Sequence, residues 1–170
     1  MAETGVLPSE ARVELLDGVI HDMSPIGLRH AGVVIRLNQF FGAIARGRWL
    51  VSPQNPARVD SYSELQPDLQ LLKPAPDDYM NHRPTPDDVL LLIEVADTSL
   101  AKDRKRKLPL YARSGISEAW IVNLPDRVIE VYCEPHPKSY RSKTVCRPGN
   151  KVSPAAFPKV VVDVAKLLRT

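Results

Sequence analysis

A glutamate inside an otherwise apolar run is the first residue in this sequence that chemistry could use. In VLLLIEVA, Val89 to Ala96, Glu94 is the only charge, and an ionised carboxylate in a strand covered on both faces costs several kcal/mol unless a cation or strong donors compensate it. Asp68 follows Pro67 and opens a second apolar run, LQLL. If the two runs pair as strands, both carboxylates reach one sheet rim and repel unless something positive lies between them. Hard divalent cations suit such a pair, because Mg²⁺ keeps several waters and needs only a few protein carboxylates. Glu14, in VELL near the start, is a candidate third acid. Asp103, Lys107 and Tyr111 recur at intervals of four, which places them on one face of a helix and brings an ammonium group toward the acids.

Each of these residues also has a plainer reading. Glu94 and Lys107 could form a structural ion pair, and Pro67-Asp68 could be turn punctuation. Glu14 could face solvent, and His30 could cap a helix or sit on the surface. Asp103 at a helix N-terminus is favoured by the helix dipole, and Tyr111 could be core packing with a wet hydroxyl.

The elements that must position these groups follow from pattern. Arg12 to Leu16 and Val19 to Met23 read as a hairpin joined at Asp17-Gly18, a dipeptide that tolerates positive φ. Val33, Val34, Leu37, Phe40, Phe41 and Ile44 mark an amphipathic helix that stops at Gly47. Short strands are expected at Arg48 to Ser52, Ala57 to Asp60 and Leu69 to Leu72. Residues 73 to 88 hold four prolines and no periodicity, the profile of a functional or mobile connection. Val89 to Ala96 is the spine of the sheet, with Glu94 sharing a face with Leu90, Leu92 and Ala96. A helix over 101 to 114 contains Pro109, which predicts a kink there, and Gly115 ends it. Strands at Glu118 to Asn123, Arg127 to Cys133 and Ser139 to Val145 follow, then a tail that supplies a short strand or helical turn.

Composition bounds the class. With 170 residues, the chain fits a single domain over 1–170. A hydrophobic content of 44% with 25% charged residues is that of a folding chain rather than a disordered one. The net charge of +3 does not by itself argue for a polyanion partner. The dense run of Lys102, Arg104, Lys105, Arg106 and Lys107 could be a solvated helix face or a surface for phosphates. Cys133 and Cys146 have no metal or disulfide spacing, so free thiols in a reducing compartment are expected. Residues 1 to 20 carry no basic segment followed by an apolar run, and no stretch approaches a membrane span, so a cytoplasmic location is the expectation.

The segments VELLDGVI, MSPIGLRHAGVV, QPDLQLL, LLIEVADTSLAKDRKRKLPLYARSGISEAWIVNL and VIEVY together resemble the Uma2 family of restriction-endonuclease-like proteins, over nearly the whole chain. The resemblance implies the PD-(D/E)xK nuclease fold, a central mixed sheet flanked by helices, here with an N-terminal hairpin. By position it implies catalytic roles for Glu14, His30, Asp68, Glu94 and Lys107. The strand lysine of the broader nuclease group is replaced by Ala96, and the family's helical lysine matches Lys107.

The function expected is therefore hydrolysis of nucleic-acid phosphodiester bonds, DNA in the first instance. Asp68, Glu94 and Glu14 are expected to hold Mg²⁺ or Mn²⁺, and Lys102, Arg104, Lys105 and Arg106 to contact nucleic acid. A homodimer is expected because two sites cut a duplex more readily. The alternatives are a nuclease scaffold that binds nucleic acid or protein without turnover, and glycoside hydrolysis by the carboxylate pair, which Lys107 and the motif order argue against.

Overall fold

The structure is a computed structural model that describes residues 12–23 and 25–169. β1 (Val13–Leu16) and β2 (Val19–Asp22) form the expected hairpin, with Asp17 at φ 49° and Gly18 at φ 80°. Two consecutive positive φ values are what a tight turn between twisted strands requires. α1 (Leu28–Ile44) buries Val33, Val34, Leu37 and Phe41 along one stripe and ends before Gly47 at φ 74°. β3 (Leu50–Pro53), β4 (Ala57–Asp60), β5 (Ser63–Leu65), β6 (Leu69–Leu72) and β7 (Val89–Ala96) follow. A short 3-10 turn at Pro86–Asp88 closes the proline-rich connection before β7.

The crossover from β7 to β8 (Glu118–Asn123) consists of α2 (Leu100–Lys102), a π-helical turn (Asp103–Lys107) and α3 (Leu108–Arg113). It departs from the expectation of one helix kinked at Pro109. The widening precedes the proline, with Leu108 N–H donating to Asp103 O. Pro109 then falls in the first turn of α3, where its missing N–H breaks no helical bond. β9 (Val128–His136), β10 (Ser139–Cys146), β11 (Lys151–Val152), β12 (Val162–Asp163) and α4 (Val164–Leu167) complete the chain.

The fold is α+β with a mixed central sheet. Six strands run in the order β10-β9-β8-β7-β6-β3, antiparallel except for the β7–β8 pair that the crossover joins. A second sheet, β2-β1-β5-β4, lies beside it. One apolar cluster, with Leu37, Phe41, Trp49, Ile93 and Trp120 at its centre, packs α1 against one face of the large sheet. The other cluster, including Leu16, Leu65, Leu92, Leu110 and Tyr111, fills the space between the opposite face, the crossover and the small sheet. Glu94 projects on this second side.

The alternation along β7 breaks at its start. Leu71 pairs with Leu91 but Leu72 pairs with Val89, so Leu90 is an extra residue that bulges the strand. Val89 therefore joins the Glu94 side and Leu90 packs against the opposite cluster, the reverse of a strict two-residue period. Cys133 and Cys146 are both free. No described helix is long and apolar enough to cross a membrane.

Candidate active site

Antiparallel pairing of Leu69 with Ile93 sets Asp68, the residue just before β6, beside the end of β7. The Val95 N–H donates to Asp68 Oδ2 at 2.8 Å, and His30 Nε2 meets the same oxygen at 2.9 Å. Because an ionised carboxylate only accepts, this contact puts the imidazole proton on Nε2. His30 reaches it from the first turn of α1, whose N-terminus overhangs the rim, and its Nδ1 is buried with no partner. The second oxygen of Asp68, Oδ1, has only the Gln54 side chain at 3.4 Å.

Glu94 is 3% exposed. Tyr111 OH donates to its Oε1 at 2.5 Å and Lys107 Nζ donates to the same atom at 3.1 Å. Its Oε2 receives no bond from any described protein donor. Lys107 Nζ lies 2.6 Å from Glu14 Oε1 and 4.0 Å from Asp103 Oδ1, so one buried ammonium is shared by three acids. Glu14 is further held by the Gln66 N–H at 3.1 Å and by Lys102 Nζ at 2.9 Å. Asp103 Oδ2 accepts from Ser99 Oγ at 2.6 Å.

Glu14, His30, Asp68, Glu94, Lys102, Asp103 and Lys107 line one cleft of about 160 Å³, together with Arg12, Asp97 and Thr98. Counting His30 as neutral, the four carboxylates of Glu14, Asp68, Glu94 and Asp103 face the two ammonium groups of Lys102 and Lys107. Two negative charges are left over. The imbalance appears in the titration of the acids. Burial first, then the charges of Asp103 and Asp68, push the Glu94 carboxyl well above the ordinary range, although Lys107 opposes them. Asp103 is also raised, by burial and then by Asp68 and Glu14, against the pull of Lys107 and Ser99. Burial would raise Glu14 as well, yet Lys107, Lys102 and the Gln66 N–H bring it below the usual value. For Lys107, burial works against the charged form but Glu94, Glu14 and Asp103 outweigh it, so the ammonium keeps its proton. Tyr111, raised by burial and by Glu94, stays a neutral donor.

The model of the Uma2 family, described as "Putative restriction endonuclease", matches residues 2–165. The chain belongs to the Uma2 family. Among solved structures, one from Anabaena variabilis, described as a putative nuclease belonging to DUF820, superposes on this Uma2 chain with a TM-score of 0.77. The two share 12% identity, over 98% of this chain and 94% of the other, so the likeness establishes the fold. No curated protein matches the chain.

In this Uma2 protein the structure gathers Glu14, His30, Asp68, Glu94 and Lys107 around one cleft. Both oxygens of Glu14 are occupied, by Lys102, Lys107 and Gln66, and among the described residues no group of three His, Cys, Asp or Glu side chains is arranged to share an ion. The basic run also divides. Lys102 turns inward to Glu14 and Arg104 bonds Glu130 on β9, which leaves Lys105 and Arg106 exposed. Sequence reasoning missed Gln54, whose side-chain amide donates to Asp68, Gln66, whose backbone N–H donates to Glu14, and Glu130. Gln54 and Gln66 act through partners on other elements, and Glu130, although set in the apolar run VIEVY, takes its cation from the crossover.

Proposed function

We propose that this protein hydrolyses nucleic-acid phosphodiester bonds, DNA being the first substrate to try, with Mg²⁺ or Mn²⁺ held by Asp68 and Glu94. The observation that carries this reading is the formal surplus of two acidic over basic side chains in the cleft, beside two carboxylates that each retain an oxygen little used by the protein. One divalent ion balances that charge, and such ions accept one or two carboxylates with water completing the shell. The chemistry supplied by a bound divalent ion is Lewis acidity, toward water and toward a phosphate oxygen.

The chain's own residues prepare the site for that chemistry. His30 and the Val95 N–H hold Asp68 through Oδ2, which leaves Oδ1 with only the Gln54 side chain. Tyr111 and Lys107 hold Glu94 through Oε1. Lys107 also places a permanent positive charge at the cleft floor, where charge developing on a phosphate would be stabilised without reorganisation. Ala96 stands where the broader nuclease group has its strand lysine, and a lysine stem on the crossover brings the ammonium to Glu94 instead.

The test is cleavage of plasmid and labelled oligonucleotides with Mn²⁺, Mg²⁺ or EDTA, by wild type, Asp68→Asn and Glu94→Gln. Both variants keep an oxygen for the bonds just described and lose only charge. Metal-dependent cleavage by wild type, reduced about a hundredfold or more in each variant, is expected. A fully folded wild type with no cleavage under any metal would favour a scaffold that binds without turnover.

A further inference from the structure

We infer that the groove between β2 and the crossover, lined by His21, Lys102, Lys105 and Arg106, is a binding site for the phosphate next to the scissile one on the same nucleic-acid strand. The inference rests on the hydrolytic reading above and adds to it the path of the substrate.

Several cations on and around the crossover have carboxylate partners. Lys102 is bonded to Glu14, Arg104 to Glu130, Lys107 to Glu14 and Glu94, and Arg113 to Asp17 and Asp60. Among the described residues, Lys105 and Arg106 have no carboxylate within salt-bridge distance. They are adjacent in the π-helical turn and both exposed. Arg106 Nη1 instead lies 3.2 Å from His21 Nε2 on β2. A guanidinium against an imidazole gains a hydrogen bond but no charge compensation, and four of its five donors remain open to an anion.

These groups share one groove, which also contains Asp22. Its cations outnumber that single carboxylate. Lys102 lines both this groove and the catalytic cleft, so the two are neighbours across one side chain. An extended strand with a phosphate at Asp68 and Glu94 would meet Lys105 and Arg106 with an adjacent phosphate. The geometry fits backbone recognition: charge and forked donors, and no Phe, Tyr or Trp in the lining on which a base would stack. Arg104, placed in the same basic run, lies outside the groove.

The test is fluorescence anisotropy with a labelled single-stranded oligonucleotide in EDTA, at several salt concentrations. It compares wild type, Lys105→Gln/Arg106→Gln, and Lys138→Gln, an exposed cation on the distant β9–β10 turn. The inference expects the double variant to bind about tenfold or more weakly and to lower the slope of log K against log salt by one to two, with Lys138→Gln near wild type. A single methylphosphonate beside the scissile position should weaken wild type and leave the double variant unmoved. Equal losses in the double variant and Lys138→Gln would mean diffuse charge only and overturn the inference. Wild-type cleavage with unaltered affinity in the double variant would overturn the groove and leave hydrolysis standing, whereas neither binding nor cleavage by wild type would overturn both.

Discussion

An ammonium surrounded by Glu14, Glu94 and Asp103 is the residue-scale fact from which most of the site's properties follow. Lys107 is 5% exposed, and removing one partner from a buried charge cluster leaves the others uncompensated, a loss of about 3 kcal/mol or more. Lys107→Met conserves length and apolar stem but deletes the charge. It is expected to lower the denaturation midpoint by that amount at neutral pH, and to do less damage in acid, where the raised carboxyls of Glu94 and Asp103 are neutralised first. Equal stability of Lys107→Met and wild type at neutral pH would show that the acids do not depend on this ammonium. The same cluster explains why Tyr111, which pattern alone assigns to the core, is both core and site: its ring lies in the second apolar cluster while its hydroxyl fixes Glu94.

At the scale of elements, the crossover decides where Lys107 points. Its C-terminal stop is a Schellman motif: Ile116 N–H bonds Tyr111 O and Gly115 N–H bonds Ala112 O, with Gly115 at φ 88°. A Cβ at Gly115 would touch nothing, so Gly115→Ala isolates the backbone cost of the left-handed conformation. A loss of about 1 kcal/mol in chemical denaturation is expected, and no loss would mean the cap is not what fixes the end of α3. This stop was legible in the sequence, as were β6, β7 and the meeting of Asp68 with Glu94, because apolar period, proline and glycine are local signals. The widened turn at Asp103–Lys107 was not. Pro109 announces that regular helix is disturbed, but whether the backbone bends or widens depends on what Asp103 and Lys107 bond across the cleft. β5 was missed because three residues carry no period, and the bulge at Leu90 because it is a property of pairing rather than of one strand.

At the scale of the whole molecule, a further buried acid ties the crossover to β9 and β10. Glu130, on β9, accepts from Arg104, from Tyr132 OH at 2.5 Å, from Asn123 Nδ2 at 3.1 Å and from Lys143 Nζ at 3.0 Å. Burial alone would raise this carboxyl, but Arg104, Tyr132, Asn123 and Lys143 bring it down to about 2. A depressed carboxyl stabilises the fold in full above the unfolded value near 4.5, and that contribution is lost as pH falls toward 2. Arg104 and Lys143 are 36% and 42% exposed, so solvent screening reduces the contribution to about 1 to 2 kcal/mol. Glu130→Gln is therefore expected to be less stable than wild type at pH 7 and to converge with it near pH 2, in urea titrations across that range. A gap independent of pH would refute the ionic origin. Glu130, like Glu94, stands in an apolar run, VIEVY, but the Arg104 and Lys143 charges that hold it lie on other elements and cannot be read from that run.

The fully buried Ala96, flanked by the second apolar cluster, has a consequence for how such a site can change over generations. Moving the lysine from crossover to strand needs two exchanges, and either order passes through an unfavourable ancestor. One has four acids and only Lys102 to answer them. The other has an extra cationic stem forced into a space that holds a methyl group. The helical placement of this lysine is thus held in place by the impassability of its neighbours in sequence space.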